Sequence, residues 1–206
     1  MARVIEIHPE DPQPRLVNSV VAAIRAGALI AYPTDSSYAL GCHIGDKQAM
    51  DRIRRIRKTD KNHNFTLVCS DLSEISVYAR VDNWAYRLIK GLTPGPYTFI
   101  LPATREVPKR LQNPRRRTIG LRVPDHALVR AMLEALGEPI MSSTLSLPGD
   151  SRPMTDPHEI AERIGHEVDV IVASGATGIE PTTVLDLSHG SVEVRREGRG
   201  DVSGLV

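Results

Sequence analysis

Residues 28–42, ALIAYPTDSSYALGC, decide how the rest of the chain is read. The apolar run Ala28, Leu29, Ile30, Ala31 and Tyr32 follows Gly27 and has the character of a buried strand. Pro33 removes an N–H and ends ladder pairing. Five polar or amphipathic side chains follow, Thr34 to Tyr38. Ala39 to Cys42 then returns to the core as a second apolar run, with Gly41 permitting close backbone approach. A strand that stops at a hydroxyl-rich loop is where open α/β sheets place ligands. The competing account is an ordinary Pro-Thr-Asp turn with exposed hydroxyls.

Outward from this stretch, helical and strand patterns alternate. Val4 to His8 reads as a short strand. Leu16, Val17, Val20, Val21 and Ile24 fall on one helical face, entered through Asp11-Pro12-Gln13-Pro14 and closed by Gly27. Asp46 is an N-cap for a helix that carries Ala49, Met50, Ile53 and Ile56 inward and reaches about Arg57. Strands follow at 65–69, 97–101, 118–123, 139–143, 168–173, 183–187 and 192–196. Helices follow at 71–78, at 83–90 with Gly91 as the stop, at 126–136 and at 156–164. This alternation predicts one α/β domain over residues 1–206, a twisted mixed sheet with flanking helices.

The 206 residues are 41% hydrophobic and 25% charged, the balance of a folded soluble chain. No apolar run approaches the length of a membrane span, and MARVIEIHPEDPQP lacks the apolar region of a secretory signal. Cys42 and Cys69 both sit in apolar runs. They are expected to be buried free thiols, which fits a cytoplasmic location, and neither has zinc-site spacing. The net charge of +1 conceals an asymmetry. Residues 1–130 carry 21 Lys and Arg against 12 Asp and Glu, whereas residues 131–206 carry 5 against 13. A basic half suggests an anionic ligand, a nucleotide or an RNA. Alternatively, the halves neutralise each other within the fold.

Four stretches can carry chemistry. RIRRIRKTDK, residues 52–61, holds six basic side chains, among them Arg57, Lys58 and Lys61. Arginine forks suit phosphate oxygens and lysine supplies a point charge, although a solvated basic helix has the same pattern. SSTLSLPG, residues 142–149, offers Ser143, Thr144 and Ser146 to a nucleotide pocket. It lacks the spacing of a P-loop or of a serine-nucleophile elbow. Arg122 stands at the carboxyl end of a run that otherwise reads buried, so it needs an anion: a substrate carboxylate, or an internal partner such as Asp125 or Asp35. PTTVLDL and RREG near the end read only as strand, turn, strand.

Taken together, PTDSSYALG, the basic loop near residue 57, TPGPYTFIL, TIGLRVPDH, PIMSSTLSLPG, PTTVLDL and RREG resemble the YrdC/YciO family in order and spacing, over nearly the whole chain. PTDSSYALGC, RIRK followed by HNFTLVC, and TPGPYTFIL look closest to the YciO branch. The resemblance implies a twisted α/β sheet with a basic concave cavity. It implies threonylcarbamoyl-AMP synthesis: L-threonine, bicarbonate and ATP condense with release of pyrophosphate, with Mg²⁺ on the phosphates, as a step towards a modified adenosine of tRNA. Carried over by position, Thr34, Arg122 and Thr182 would hold the threonine. Arg57, Lys58, Lys61, Ser143, Thr144, Ser146 and Arg196 would hold the nucleotide. Two departures touch the nucleotide side. Arg57-Lys58-Thr59 stands for the Lys-x-Arg of YrdC, and Thr144-Leu145-Ser146 stands for its Ser-x-Asn, which implies weak or altered synthesis. The alternative function is a tRNA or double-stranded-RNA binding module without this chemistry, to which the basic run Arg115, Arg116 and Arg117 would contribute.

Overall fold

Gly27 adopts φ +88°, a left-handed conformation that closes the first helix and turns the chain into the quoted stretch. The computed structural model describes residues 1–59 and 64–205. In chain order the elements are β1 (Arg3–Glu6), α1 (Pro14–Arg25), β2 (Ile30–Tyr32), β3 (Ala39–His43), α2 (Lys47–Arg57), β4 (Thr66–Val68), α3 (Leu72–Tyr78) and α4 (Asn83–Leu92). They continue as β5 (Tyr97–Pro102), β6 (Thr118–Arg122), α5 (Ala127–Leu136), β7 (Ile140–Thr144), α6 (Pro157–Ile164), β8 (Val170–Ala173), β9 (Thr183–Asp186) and β10 (Glu193–Arg196).

Among the described residues, ten strands join one mixed sheet in the order β1-β8-β2-β3-β7-β4-β6-β5-β9-β10. The quoted stretch supplies the antiparallel pair β2 and β3, with Ile30 opposite Gly41 and Tyr32 opposite Ala39. Pro14 opens α1, where its missing N–H costs nothing. Asp46 caps α2 by accepting from the Ala49 N–H at 3.0 Å. One difference from the sequence pattern is at α4, which passes through Gly91 to Leu92. Thr93 is extended, as the residue before a proline prefers, so Pro94 rather than Gly91 sets the helix end.

The sheet separates two cores. On one face Leu67, Phe99, Leu121 and Met141 pack with Ile53 of α2, Ile75 of α3, Ile89 of α4 and Ile160 of α6. On the other, Ile30, Tyr32, Val68 and Ile140 pack with Val20 and Ile24 of α1 and Val129 and Met132 of α5. Cys42 and Cys69 are fully buried free thiols, and burial raises both their pKa values.

α1 and α5 cover only part of the second face. Beyond them, register partners Ser142, Thr66, Gly120, Ile100 and Asp186 run straight across β7, β4, β6, β5 and β9. Partners in register point to the same face. Most of this row is small, so no packed layer fills the space above it, and a cavity of about 680 Å³ opens there.

Gly41 is required where it stands. A Cβ there would lie 2.7 Å from Tyr32 Cε1 and 2.8 Å from Ile140 Cγ2. Both neighbours are fully buried and have nowhere to move. Gly41→Ala is expected to destabilise the fold by about 1–3 kcal/mol, the usual cost of overpacking. Urea denaturation of the two proteins measures it, and an unchanged midpoint would contradict the packing described.

Candidate functional site

Five arginines and one carboxylate line the cavity among the described residues: Arg57, Arg116, Arg122, Arg195, Arg196 and Asp186. They arrive from α2, the β5–β6 connection, β6, β9 and β10. The two halves of the chain do neutralise each other in places, through Arg52–Asp169 at 2.6 Å and Arg116–Asp186 at 3.3 Å. The cavity nevertheless keeps a surplus of positive charge. Its hydroxyl groups belong to Thr34, Ser36, Thr98, Ser142, Ser143, Thr144 and Thr182 and their neighbours.

Arg122 is 8% exposed. Its Nη2 pairs with Asp35 Oδ1 and its Nη1 lies 3.4 Å from Ser36 Oγ. The internal partner weighed from the sequence is therefore present, and it is Asp35 rather than Asp125. Asp35 also accepts from the Asp125 N–H at 3.0 Å, so one carboxylate ties the loop after β2 to the end of β6. The Nε of Arg122 is buried and has no partner among the described residues. A guanidinium held on two sides by Asp35 and Ser36 thus leaves its Nε–H without a partner, and its remaining Nη N–H groups are not used by these two contacts.

Thr34 lines the same cavity, but its hydroxyl is fully engaged. Thr34 Oγ1 donates to Ser37 O at 2.7 Å and accepts from the Ser36 and Ser37 N–H groups, each at 3.2 Å. This is a local turn cap of the kind that threonine favours. Thr34 shapes the loop and leaves no hydroxyl hydrogen bond for a ligand. Thr182 is 7% exposed and lies 3.0 Å from Thr98 through their hydroxyls. Arg196 clasps it, donating from Nε and Nη2 to Thr182 O at 3.0 and 2.8 Å and from Nη2 to its Oγ1 at 3.1 Å. Burial first, then the Arg122 charge, lowers the Arg196 pKa, as expected for two cations sharing one cavity.

On the opposite wall, Arg57 at the end of α2 donates to Ser143 Oγ at 2.5 Å, and burial lowers its pKa. Thr144 and Ser146 also line the cavity. Lys58 does not. It caps α2 in a left-handed conformation, φ 47°, and its side chain is exposed. Lys61 lies outside the described residues.

The sequence pattern missed Arg195 and Asp186, and gave Arg116 only to the RNA-binding alternative. Alternation along a regular strand sends Arg195 and Arg196 to opposite faces. The register between β9 and β10 shifts between Val194 and Arg196, and this bulge lets both arginines reach the cavity. Asp186 is 2% exposed and gathers Arg195 at 2.9 and 3.1 Å, Arg116, and the N–H and hydroxyl of Ser188. Burial alone would raise its pKa, but the Ser188 and Arg195 hydrogen bonds outweigh this and hold it below the ordinary 3.8. A depressed carboxyl stabilises the fold fully above its unfolded pKa, and the contribution disappears as pH falls through the lower folded value. Wild-type stability is therefore expected to drop below about pH 4 more steeply than that of Asp186→Asn, which lacks the titrating group. Parallel slopes of denaturation midpoint against pH would contradict the arrangement.

Comparison with known proteins identifies the family and matches the fold. The Sua5/YciO/YrdC family model, described as "Telomere recombination", matches residues 22–198. The YciO protein of Escherichia coli (strain K12) is 54% identical over 206 residues, all of both chains. Its crystal structure superposes with a TM-score of 0.96 over the whole of both chains, at 53% identity. A threonylcarbamoyl-AMP synthase of Chromobacterium violaceum is 31% identical over 187 residues, 89% of this chain and 95% of that one. The crystal structure of P. abyssi Sua5 complexed with L-threonine matches with a TM-score of 0.87 at 26% identity, covering 96% of this chain and 58% of that one. An arginine-lined cavity on a ten-stranded mixed sheet, a family model spanning most of the sequence, and a full-length relative at more than half identity place this chain in the Sua5/YciO/YrdC family.

Proposed function

We propose that this protein is a nucleotide-dependent enzyme of the threonylcarbamoyl-AMP synthase type, with activity altered from that of YrdC. The observation that carries this reading is the cavity in which, among the described residues, five arginines face one carboxylate. A site of this charge suits a ligand with a carboxylate and several phosphate oxygens. Arg122 would donate to the carboxylate of L-threonine, and Thr182 would close that end. Arg57, Ser143, Thr144, Ser146 and Arg196 would face the nucleotide, which is ATP. The relatives that bear the synthase name, and the Sua5 structure with L-threonine, support the same assignment. A cytoplasmic protein with buried, reduced cysteines fits it as well.

The chain's own residues would act by position and charge. Arg122, fixed by Asp35, orients the amino acid. The other arginines offset the charge that develops as pyrophosphate departs. Mg²⁺ would enter with the triphosphate as part of the substrate. Asp186, the one carboxylate lining the cavity among the described residues, is already taken by Arg195, Arg116 and Ser188. Threonine at position 144 and serine at position 146, where the YrdC pattern has Ser-x-Asn, remove an amide donor from the nucleotide wall. Slower synthesis follows from that loss.

The test is pyrophosphate release that requires L-threonine and bicarbonate together. Arg122→Lys keeps the charge and loses the planar fork. It should weaken L-threonine binding roughly 10- to 150-fold, the loss of one charge-assisted hydrogen bond of about 1.5–3 kcal/mol. Isothermal titration measures this. Unchanged affinity combined with a large fall in melting temperature would assign Arg122 to structure alone.

A second reading, RNA binding, is favoured by the β5–β6 connection. Arg105, Lys109, Arg110, Arg115, Arg116 and Arg117 are all exposed there, against Glu106 as an acidic neighbour. Val107 and Leu111 pin the loop to the core, so the cations are displayed on a fixed frame. If RNA binds there, affinity for a short duplex should fall steeply and linearly in a log–log plot against salt, and Arg115→Ala with Arg117→Ala should flatten the slope by about two contacts. A salt-independent affinity would exclude the reading.

A further inference from the structure

Residues 196–201 form a strap seated on the starts of β9 and β5. Arg196 clasps Thr182 at one end of it. The Gly198 N–H donates to Thr183 Oγ1 at 3.0 Å, and the Arg199 N–H donates to Pro181 O at 2.9 Å. Thr183 Oγ1 donates in turn to Gly200 O at 2.6 Å, and the Tyr97 hydroxyl donates to Asp201 O at 3.0 Å. Two glycines let the strap lie this close. A Cβ at Gly198 would sit 2.3 Å from Pro181 O, and one at Gly200 would sit 2.4 Å from Tyr97 Cε1. The backbone that carries Arg199 is therefore fixed on both sides of it.

From this base Arg199 reaches the loop after β2, 164 positions earlier in the chain, where its Nη1 donates to Asp35 O. Gly178 backs the contact: a Cβ there would lie 3.1 Å from Ser36 O and 3.9 Å from Arg199 Nη1. Arg199 itself is exposed and is not among the residues that line the cavity. Its target gives the contact its meaning. Asp35 is the counter-ion of Arg122, and both side chains of that pair are 9% exposed. A paired guanidinium and carboxylate are neutral as a unit, so the pair alone does little to attract an anion. Arg199 adds a cation on the backbone of Asp35, and the three groups together carry a surplus of positive charge.

We propose that Arg199 is a positioning residue, which holds the Asp35 loop from the C-terminal strap and offsets the Asp35 charge, so that Arg122 is both fixed and attractive to an anionic ligand. The inference rests on the amino-acid reading above for the identity of that ligand. Arg199 touches no ligand and acts through Asp35. An exposed tie of this kind adds little to global stability, so its effect belongs to the loop and to the cavity end that the loop builds.

Two measurements on the full chain test this: hydrogen–deuterium exchange over residues 33–38, and isothermal titration with L-threonine and with ATP separately. Arg199→Ala should speed exchange over residues 33–38 and leave β1 and β8 unchanged. It should weaken L-threonine binding about three- to tenfold, the net value of one hydrogen bond, with ATP affinity and the denaturation midpoint close to wild type. Arg199→Lys should restore L-threonine affinity, because one N–H and the charge are all that the contact uses. Unchanged exchange in Arg199→Ala overturns the inference, as does failure of lysine to rescue. Equal weakening of both ligands together with a lowered midpoint would make Arg199 a general structural tie and also overturn it. If wild type and Arg199→Ala bind L-threonine equally well, the inference is wrong while the amino-acid reading stands. If the wild type does not bind L-threonine, the amino-acid reading fails and takes this inference with it.

Discussion

The ion pair between Arg122 and Asp35 is the contact on which the site depends. An arginine does not lose its proton inside a protein, so a guanidinium buried at the end of β6 must have a counter-charge. Asp35 supplies it from a different part of the chain, and with its second oxygen holds the Asp125 N–H. Removing one member of such a pair would strand a buried charge at a cost of about 3–5 kcal/mol. The pair therefore fixes the loop after β2 against the strand end that carries the arginine. The Arg199 guanidinium adds a further tie, donating to the Asp35 backbone carbonyl. The loop is also held from below, where Tyr38 O accepts from the Leu145 N–H at 3.0 Å and the Tyr38 hydroxyl donates to Gly175 O at 2.9 Å. The result is a rigid frame around a donor, Arg122 Nε, that the frame itself does not use.

A cavity needs a reason not to collapse. Here the reason is the size of the side chains along the middle of one sheet face. Gly120, Thr66, Thr98 and Ser142 are too short to meet a helix laid across them, while the opposite face of the same strands carries Leu67, Phe99, Leu121 and Met141. Arg57, Arg116, Arg195 and Arg196 then stand at the rim and walls, where their charge is only partly desolvated and some of it is balanced by Asp186, while the buried Arg122 is balanced by Asp35. Repulsion between such cations is tolerable because they are spread over several elements and because the face they surround is polar. The same economy of contacts explains why both Arg195 and Arg196 face inward: a bulge in an edge strand re-aims a side chain without disturbing the paired strands beside it.

Much of this was open to reading along the chain. Alternation of strand and helix, the Asp46 cap, Pro14 at the start of α1 and the Gly27 turn are local, and local rules govern them. Arg122 was conspicuous because a charge in the apolar run of residues 119–123 must be paired. Asp186 was not, since a carboxylate after a strand is commonplace until its neighbours are known. Arg195 was hidden by the bulge. Thr34 was carried over by position from the family resemblance, and the fold turns its hydroxyl back on its own loop, where the Ser36 and Ser37 N–H groups and Ser37 O engage it. Lys58 shared the basic run with Arg57, yet one left-handed residue at the helix end turns it outward.

By itself, the sequence determined the fold class, the order of elements and the basic character of the site, because these follow from periodicity, capping and the sum of charges, none of which needs to know which strand lies beside which; the family was legible through the resemblance of its motifs in order and spacing. The tertiary structure alone decided which hydroxyls are engaged, which carboxylate neutralises which arginine and where the cavity opens. Those are properties of register. Setting Ser142 beside Gly41 and Thr66, with Tyr32 reaching over the glycine, brings together residues up to 110 positions apart in the chain. Hydrogen bonding falls off over a few tenths of an ångström, so its pattern is fixed only once the sheet has closed.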